Sequence, residues 1–178
     1  PDKALELLMS LSVEPDADMA TLIPIVKALG EEAFSWLSGQ IDNLDQESLS
    51  GIISDKEISI VLRLAAARRM HDLGSSIEID EAIDLFTRGL DLRRLAEVLF
   101  VDSQRCADHP YSTLLVAHLL PAKTKGWDFE NIRSARRDAL STVVDADVPE
   151  SFSQASRGLI LMLDGAADTD DAWVVDTL

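Results

Sequence analysis

An all-α fold is predicted by three features of the chain. Apolar residues recur at helical spacing, N-caps, glycines and prolines cut the sequence into pieces of roughly 8–18 residues, and alternating period-2 runs are nearly missing. The composition agrees: 47% of the 178 residues are hydrophobic but only 5% are aromatic, so the core must be built mainly from Leu, Ile, Val and Ala. One core is within reach of a chain this long, and residues 1–178 are read as a single domain. About nine or ten short helices are expected, arranged as an irregular bundle or as stacked helical pairs of the HEAT-like kind. No fixed repeat of 20–50 residues supports a regular solenoid. Because the first residue is Pro1 and not Met, a fragment of a longer protein is one reading.

The pieces follow in order. Residues 2–11 carry Ala4, Leu5, Leu7, Leu8 and Leu11 in helical register and stop at Glu14-Pro15. Asp16 then reads as an N-cap for 17–29, which Pro24 kinks and Gly30 ends. From Glu31 a third helix sets Phe34, Leu37, Ile41 and Leu44 on one stripe, and 45–51 suggest a short further turn. Asp55 is read as opening the strongest element, to about Leu73, apolar around most of its circumference and hence a core helix. Gly74 ends it. Glu78 to Arg88 follow with Ile79, Ala82, Ile83 and Phe86 inward, closed by Gly89.

One helix is expected from Asp91 to about Ala107, with Leu92, Leu95, Ala96, Leu99, Ser103 and Cys106 on one face. Asp108-His109-Pro110 reads as a break, with Pro110 at the first position of the helix 110–120, which is almost wholly apolar. A loop leads to Trp127 and to a helix from Asp128 to about Val144 that turns Phe129, Ile132, Ala135, Ala139, Leu140 and Val143 inward. Pro149 begins the next, with Phe152, Ala155, Leu159, Ile160 and Leu163 inward, before an acidic loop from Gly165 to Asp171.

A formal charge of −16 disfavours direct binding to nucleic acid or anionic membrane and points to a protein partner with a basic surface. The acidity gathers in the two ends, leaving the middle nearly balanced, so Asp16 and Asp18 at one end and Asp168, Asp170 and Asp171 at the other are candidate partner contacts. No stretch reaches the ~18 consecutive apolar residues of a membrane span, and no basic region precedes an apolar signal core. With a lone cysteine, Cys106, a disulfide framework and a multi-cysteine metal site are excluded, and a cytoplasmic setting is expected.

The string Met70-His71-Asp72-Leu73-Gly74 is the most enzyme-like in the chain, and it resembles the central motif of HD-domain phosphohydrolases. The resemblance spans five residues. It implies metal ligation by His71 and Asp72, together with an upstream His and an Asp from a later helix, placing a hydroxide opposite a phosphate. The chain departs from that pattern: no His precedes His71, and Ser75 stands where many members carry Lys. The same string also serves as an ordinary helix end, with a C-terminal His favoured by the helix dipole.

His118 is expected to be a hydrogen-bonded core histidine and Cys106 an inert buried thiol. No phosphate-binding or dinucleotide fingerprint occurs, so no cofactor is expected. Asp164, Asp168, Asp170 and Asp171 lack the spacing of a calcium loop and are read as caps and solvated acids, so no metal is assigned to them. Arg136 falls inside the apolar stripe of its helix, where a charge must snorkel or find a carboxylate. With Arg133 and Arg137 it forms a candidate anion or acidic-partner patch. Pairing with the chain's own Asp and Glu is the alternative for these arginines and for Arg63, Arg68, Arg69, Arg93 and Arg94.

These readings give an acidic, non-enzymatic helical interaction module of adaptor, regulator or inhibitor type. The alternatives are an active or degenerate HD-like hydrolase using His71 and Asp72, and a nucleic-acid mimic.

Overall fold

A computed structural model describes residues 37–121, 126–127 and 129–165. It is all-α, with no strand among the described residues. The helices expected at 2–11 and 17–29 lie outside the described residues, as do Asp16, Asp18, Asp168, Asp170 and Asp171. No helix among the described residues is long and apolar enough to cross a membrane. The chain divides into two compact units between Leu85 and Phe86.

In the first unit, helical residues 37–40 run into a 3-10 turn, Ile41–Asn43, which buries Leu37 and Ile41 as their spacing predicts. Helix α1 (Gln46–Ser54) is longer than expected. It is capped by Asp45, whose carboxylate accepts from the Ser48 N–H at 2.8 Å, an interaction that holds the Asp45 carboxyl below its usual range. Helix α2 (Ile60–Asp72) starts five residues later than Asp55 suggested. Asp55 instead folds a local turn, accepting from Glu57 N–H, while Ser59 caps the helix through Val61 N–H. Nor is α2 buried all round: Leu62, Ala66, Ala67 and Met70 face the core, and Val61 is exposed. It packs on α1 through Leu49, Ile52 and Ile53 of that helix's buried side.

Helix α3 (Ile79–Arg88) carries the boundary between units. It ends in a Schellman motif: Leu90 N–H donates to Thr87 O and Asp91 N–H to Phe86 O. The left-handed position falls on Leu90, at φ +49°, and not on the preceding Gly89, where the sequence placed the stop. A Cβ in that region costs about 1–2 kcal/mol.

In the second unit the single helix expected over 91–107 is two. Helix α4 (Leu92–Leu99) and α5 (Ser103–Asp108) are separated at Phe100 to Asp102, where the Asp102 carboxylate accepts from Gln104 N–H at 2.9 Å and starts a new helix. Helix α6 (Pro110–Leu119) has Pro110 at its first position, as predicted, and is the hub: α4, α5, α7 and α8 all pack on it. Helix α7 (Phe129–Asp145) and helix α8 (Glu150–Gly165) form a pair, with Ala117, Leu140 and Leu163 clustered between α6, α7 and α8.

Two expectations fail here. His118 lies exposed, not in the core. On α8 the buried face runs through Ser153, Ser156 and Leu163, whereas Ala155 faces solvent and Leu161 is 72% exposed.

Candidate functional site

The break between α4 and α5 shapes a concavity in the second unit. Helix α4 ends before Phe100, Val101 is 75% exposed, and Ser103 begins α5. Helix α7 closes the other side. Two adjoining hollows result, of about 400 and about 320 Å³, both in the range of ligand-sized clefts. They share Phe100, Asn131 and Ala135 and so make one groove.

Its floor is apolar. Phe100 stacks on Trp127 with ring centroids 6.1 Å apart and planes inclined by 28°, an offset arrangement favoured by the ring quadrupoles. Ala96, Ala135, Ala139 and Cys106 continue the floor. Along the α7 wall, Asn131, Ser134, Asp138 and Thr142 stand at successive turns, so a polar ledge of about 16 Å runs beside it, at 1.5 Å per residue. The Thr142 hydroxyl is turned back onto its own helix, donating to Asp138 O at 3.0 Å.

The described charges on the groove are of one sign. Glu97 and Asp138 line it, and no Lys or Arg is among the described lining residues. Glu97 accepts from Arg93 Nε at 2.9 Å, one turn away on α4. Asp138 makes no ion pair among the described residues and is exposed. Its carboxylate is the available negative hook beside an aromatic floor.

Cys106 is buried, as its place on the apolar face predicts. It is 1% exposed, its Sγ donates to Leu99 O at 3.4 Å, and burial pushes the thiol up from its ordinary value, with nearby Asp102 adding to the effect and Thr113 opposing it. In the folded protein it is expected to react with dithionitrobenzoate orders of magnitude more slowly than in urea, at a rate set by local opening. Equal rates in both conditions would show that the groove floor is open to reagent.

The opposite face of α7 carries Ile132, Arg136, Leu140 and Val143, all buried. Arg136 sits inside the stripe where its spacing put it, at 4% exposure, and its Nε and Nη2 have no hydrogen-bond partner among the described residues. Burial pushes its guanidinium down to about 10. The neighbouring arginines differ. Arg137 makes a close ion pair with Asp164 of α8, whereas Arg133 is half-buried with no ion pair among the described residues. The three therefore form no common patch, since α7 turns Arg136 inward and Arg137 outward. Elsewhere, Arg63, Arg69, Arg93 and Arg94 pair with Glu81, Asp42, Glu97 and Asp91, as the alternative reading has it.

His71 and Asp72 occupy the last turn of α2. Gly74, at φ +66°, allows its N–H to reach His71 O at 2.9 Å and that of Ser75 to reach Met70 O at 3.0 Å, a complete Schellman stop. The string Met70 to Gly74 thus has a full local role in ending a helix. Among the described residues no group of three or more His, Cys, Asp or Glu is disposed to hold a metal ion.

The groove is not legible from helical periodicity, which carries one helix through 91–107. The signal that could have found it is Asp102-Ser103, an N-cap pair embedded in the helical stripe. No family model, no curated protein and no solved structure matches this chain.

Proposed function

We propose that the chain is a non-enzymatic helical interaction module that meets a basic protein partner. The observation that carries this reading is the groove between the α4–α5 corner and α7: an aromatic floor, a polar ledge, and acidic groups as its only described charges. A cation entering it meets no like charge among the described lining residues, and an apolar side chain displaces water from the rings of Phe100 and Trp127. The formal charge of −16 extends the same preference over a longer range and speeds encounter with a basic surface. Acidic ends bearing Asp16, Asp18, Asp168, Asp170 and Asp171 would add to that attraction.

Panning the full chain against a displayed library of random peptides tests the reading. Recovered sequences should be rich in Lys and Arg beside large apolar residues, and their affinity should fall at least tenfold between 50 mM and 0.5 M salt. Val101→Asp, at a position open to solvent, should abolish capture while leaving the helical circular dichroism unchanged. Recovery of neutral or acidic sequences, or capture indifferent to Val101→Asp, would overturn it.

A further inference from the structure

The shape of the groove says more about its occupant than that it is basic. Apart from the corner at Phe100–Val101 and the turn at Gly126–Trp127 the lining is helical, and the backbone groups within those helices are mainly committed to intrahelical bonds. Along α4, α5 and α7 an extended segment finds no sheet edge to pair with, so most of its N–H and C=O groups would lose water without replacement. A helix brings its own backbone bonds.

The wall fits that occupant in length. From Asn131 to Thr142 the ledge rises by about 16 Å, the length of about three helical turns. Its features are spaced in the same period: the stacked pair Phe100 and Trp127 is the apolar contact, and Asp138, without an ion pair among the described residues, stands two turns beyond Asn131 on the same face. A ligand presenting apolar side chains at i and i+4 and a cation farther along one flank would satisfy both together. Glu97, already held by Arg93, contributes field without being the hook.

Resting on the interaction-module reading, we propose that the groove receives one cationic amphipathic helix of about three turns from a partner protein, its apolar side on Phe100 and Trp127 and a Lys or Arg on Asp138. Asp138 then sets specificity for the cation, and the aromatic pair supplies the anchor.

The experiment uses the whole chain and two 12-residue libraries panned in parallel, one presented on a helix-constrained scaffold and one carrying Pro at every fourth position. Enrichment from the helical library alone, with Lys or Arg fixed at one position, is the expected result. The selected peptide should bind Asp138→Lys at least tenfold more weakly, and exchanging its fixed cation for Glu should recover affinity for that variant. Such reciprocity is not produced by a variant that has merely lost its fold. Enrichment from the Pro library alone would overturn the helix while leaving the module reading standing, and enrichment from neither would overturn both. Light scattering of the free protein supplies the remaining arm. A dimer that Val101→Asp dissociates would assign the groove to a second copy of the chain and overturn the partner helix.

Discussion

Replacing Arg136 by Met is expected to stabilise the second unit by about 1–4 kcal/mol, the range seen when buried ionic groups give way to apolar ones of similar shape. Arg136 is 4% exposed and its Nε and Nη2 have no partner among the described residues, so the folded state carries a largely desolvated charge. A Met keeps the aliphatic stem between Ile132 and Leu140 and removes the charge. The small void it leaves costs less than the several kcal/mol of an uncompensated ion.

The pH dependence follows from the direction of the shift. Burial lowers the guanidinium from its ordinary value to about 10, so between about 10 and that ordinary value the unfolded chain holds a proton the folded chain has released. Unfolded protein binding more protons means that wild-type stability rises with pH across that window. Below about 10 both states are charged and this contribution is flat. Urea titrations at pH 8 and pH 11 should therefore show the advantage of Arg136→Met shrinking at the higher pH. An Arg136→Met variant less stable than wild type at pH 8 would mean that the charge is compensated.

Arg63→Met is expected to act in the opposite direction, destabilising the first unit by roughly 3 kcal/mol. Arg63 is also buried, at 8% exposure, but its Nε and Nη2 are both hydrogen-bonded. Its Nε donates to Ile53 O at 2.7 Å, tying α2 to the end of α1, and its Nη2 meets Glu81 of α3 at 2.8 Å. Removing it orphans a carbonyl and a carboxylate whose side chain is only 20% exposed. The effect sits at the lower end for a broken buried pair because Glu81 retains some water. Charge reversal of the pair cannot rescue it, since the Ile53 carbonyl needs a donor at position 63. Urea midpoints for Arg63→Met, Glu81→Gln and the double variant test this, and additive effects would show that the two residues are not coupled.

How much of this could be read from residues alone depended on how unambiguous each helical phase is. On α7 the polar and apolar positions alternate cleanly, and the burial of Ile132, Arg136, Leu140 and Val143 follows from period 3.6. On α8 they do not: Phe152, Ala155, Leu159, Ile160, Leu161, Met162 and Leu163 surround the helix, and small serines fit a tight interface as well as water does. The inward choice of Ser153 and Ser156 is then decided by packing against α6 and α7. Asp102 was obscured differently. Leu99, Ser103 and Cys106 keep helical spacing across it, so the stripe argued for continuity while the N-cap argued for a break, and the cap prevailed. That conflict between local and longer-range signals lies where the groove forms.

Leu90 has a consequence for how the sequence can change over time. Its side chain is exposed and its backbone holds a conformation that glycine or asparagine adopts at less cost. It lines neither hollow of the groove. A lineage that relaxes this one position therefore gains tolerance elsewhere, and can spend it on groove substitutions that alter partner choice but weaken the fold. The turn after α3 is in that sense a reservoir of evolvability: a residue remote in role from recognition sets how far recognition is free to drift.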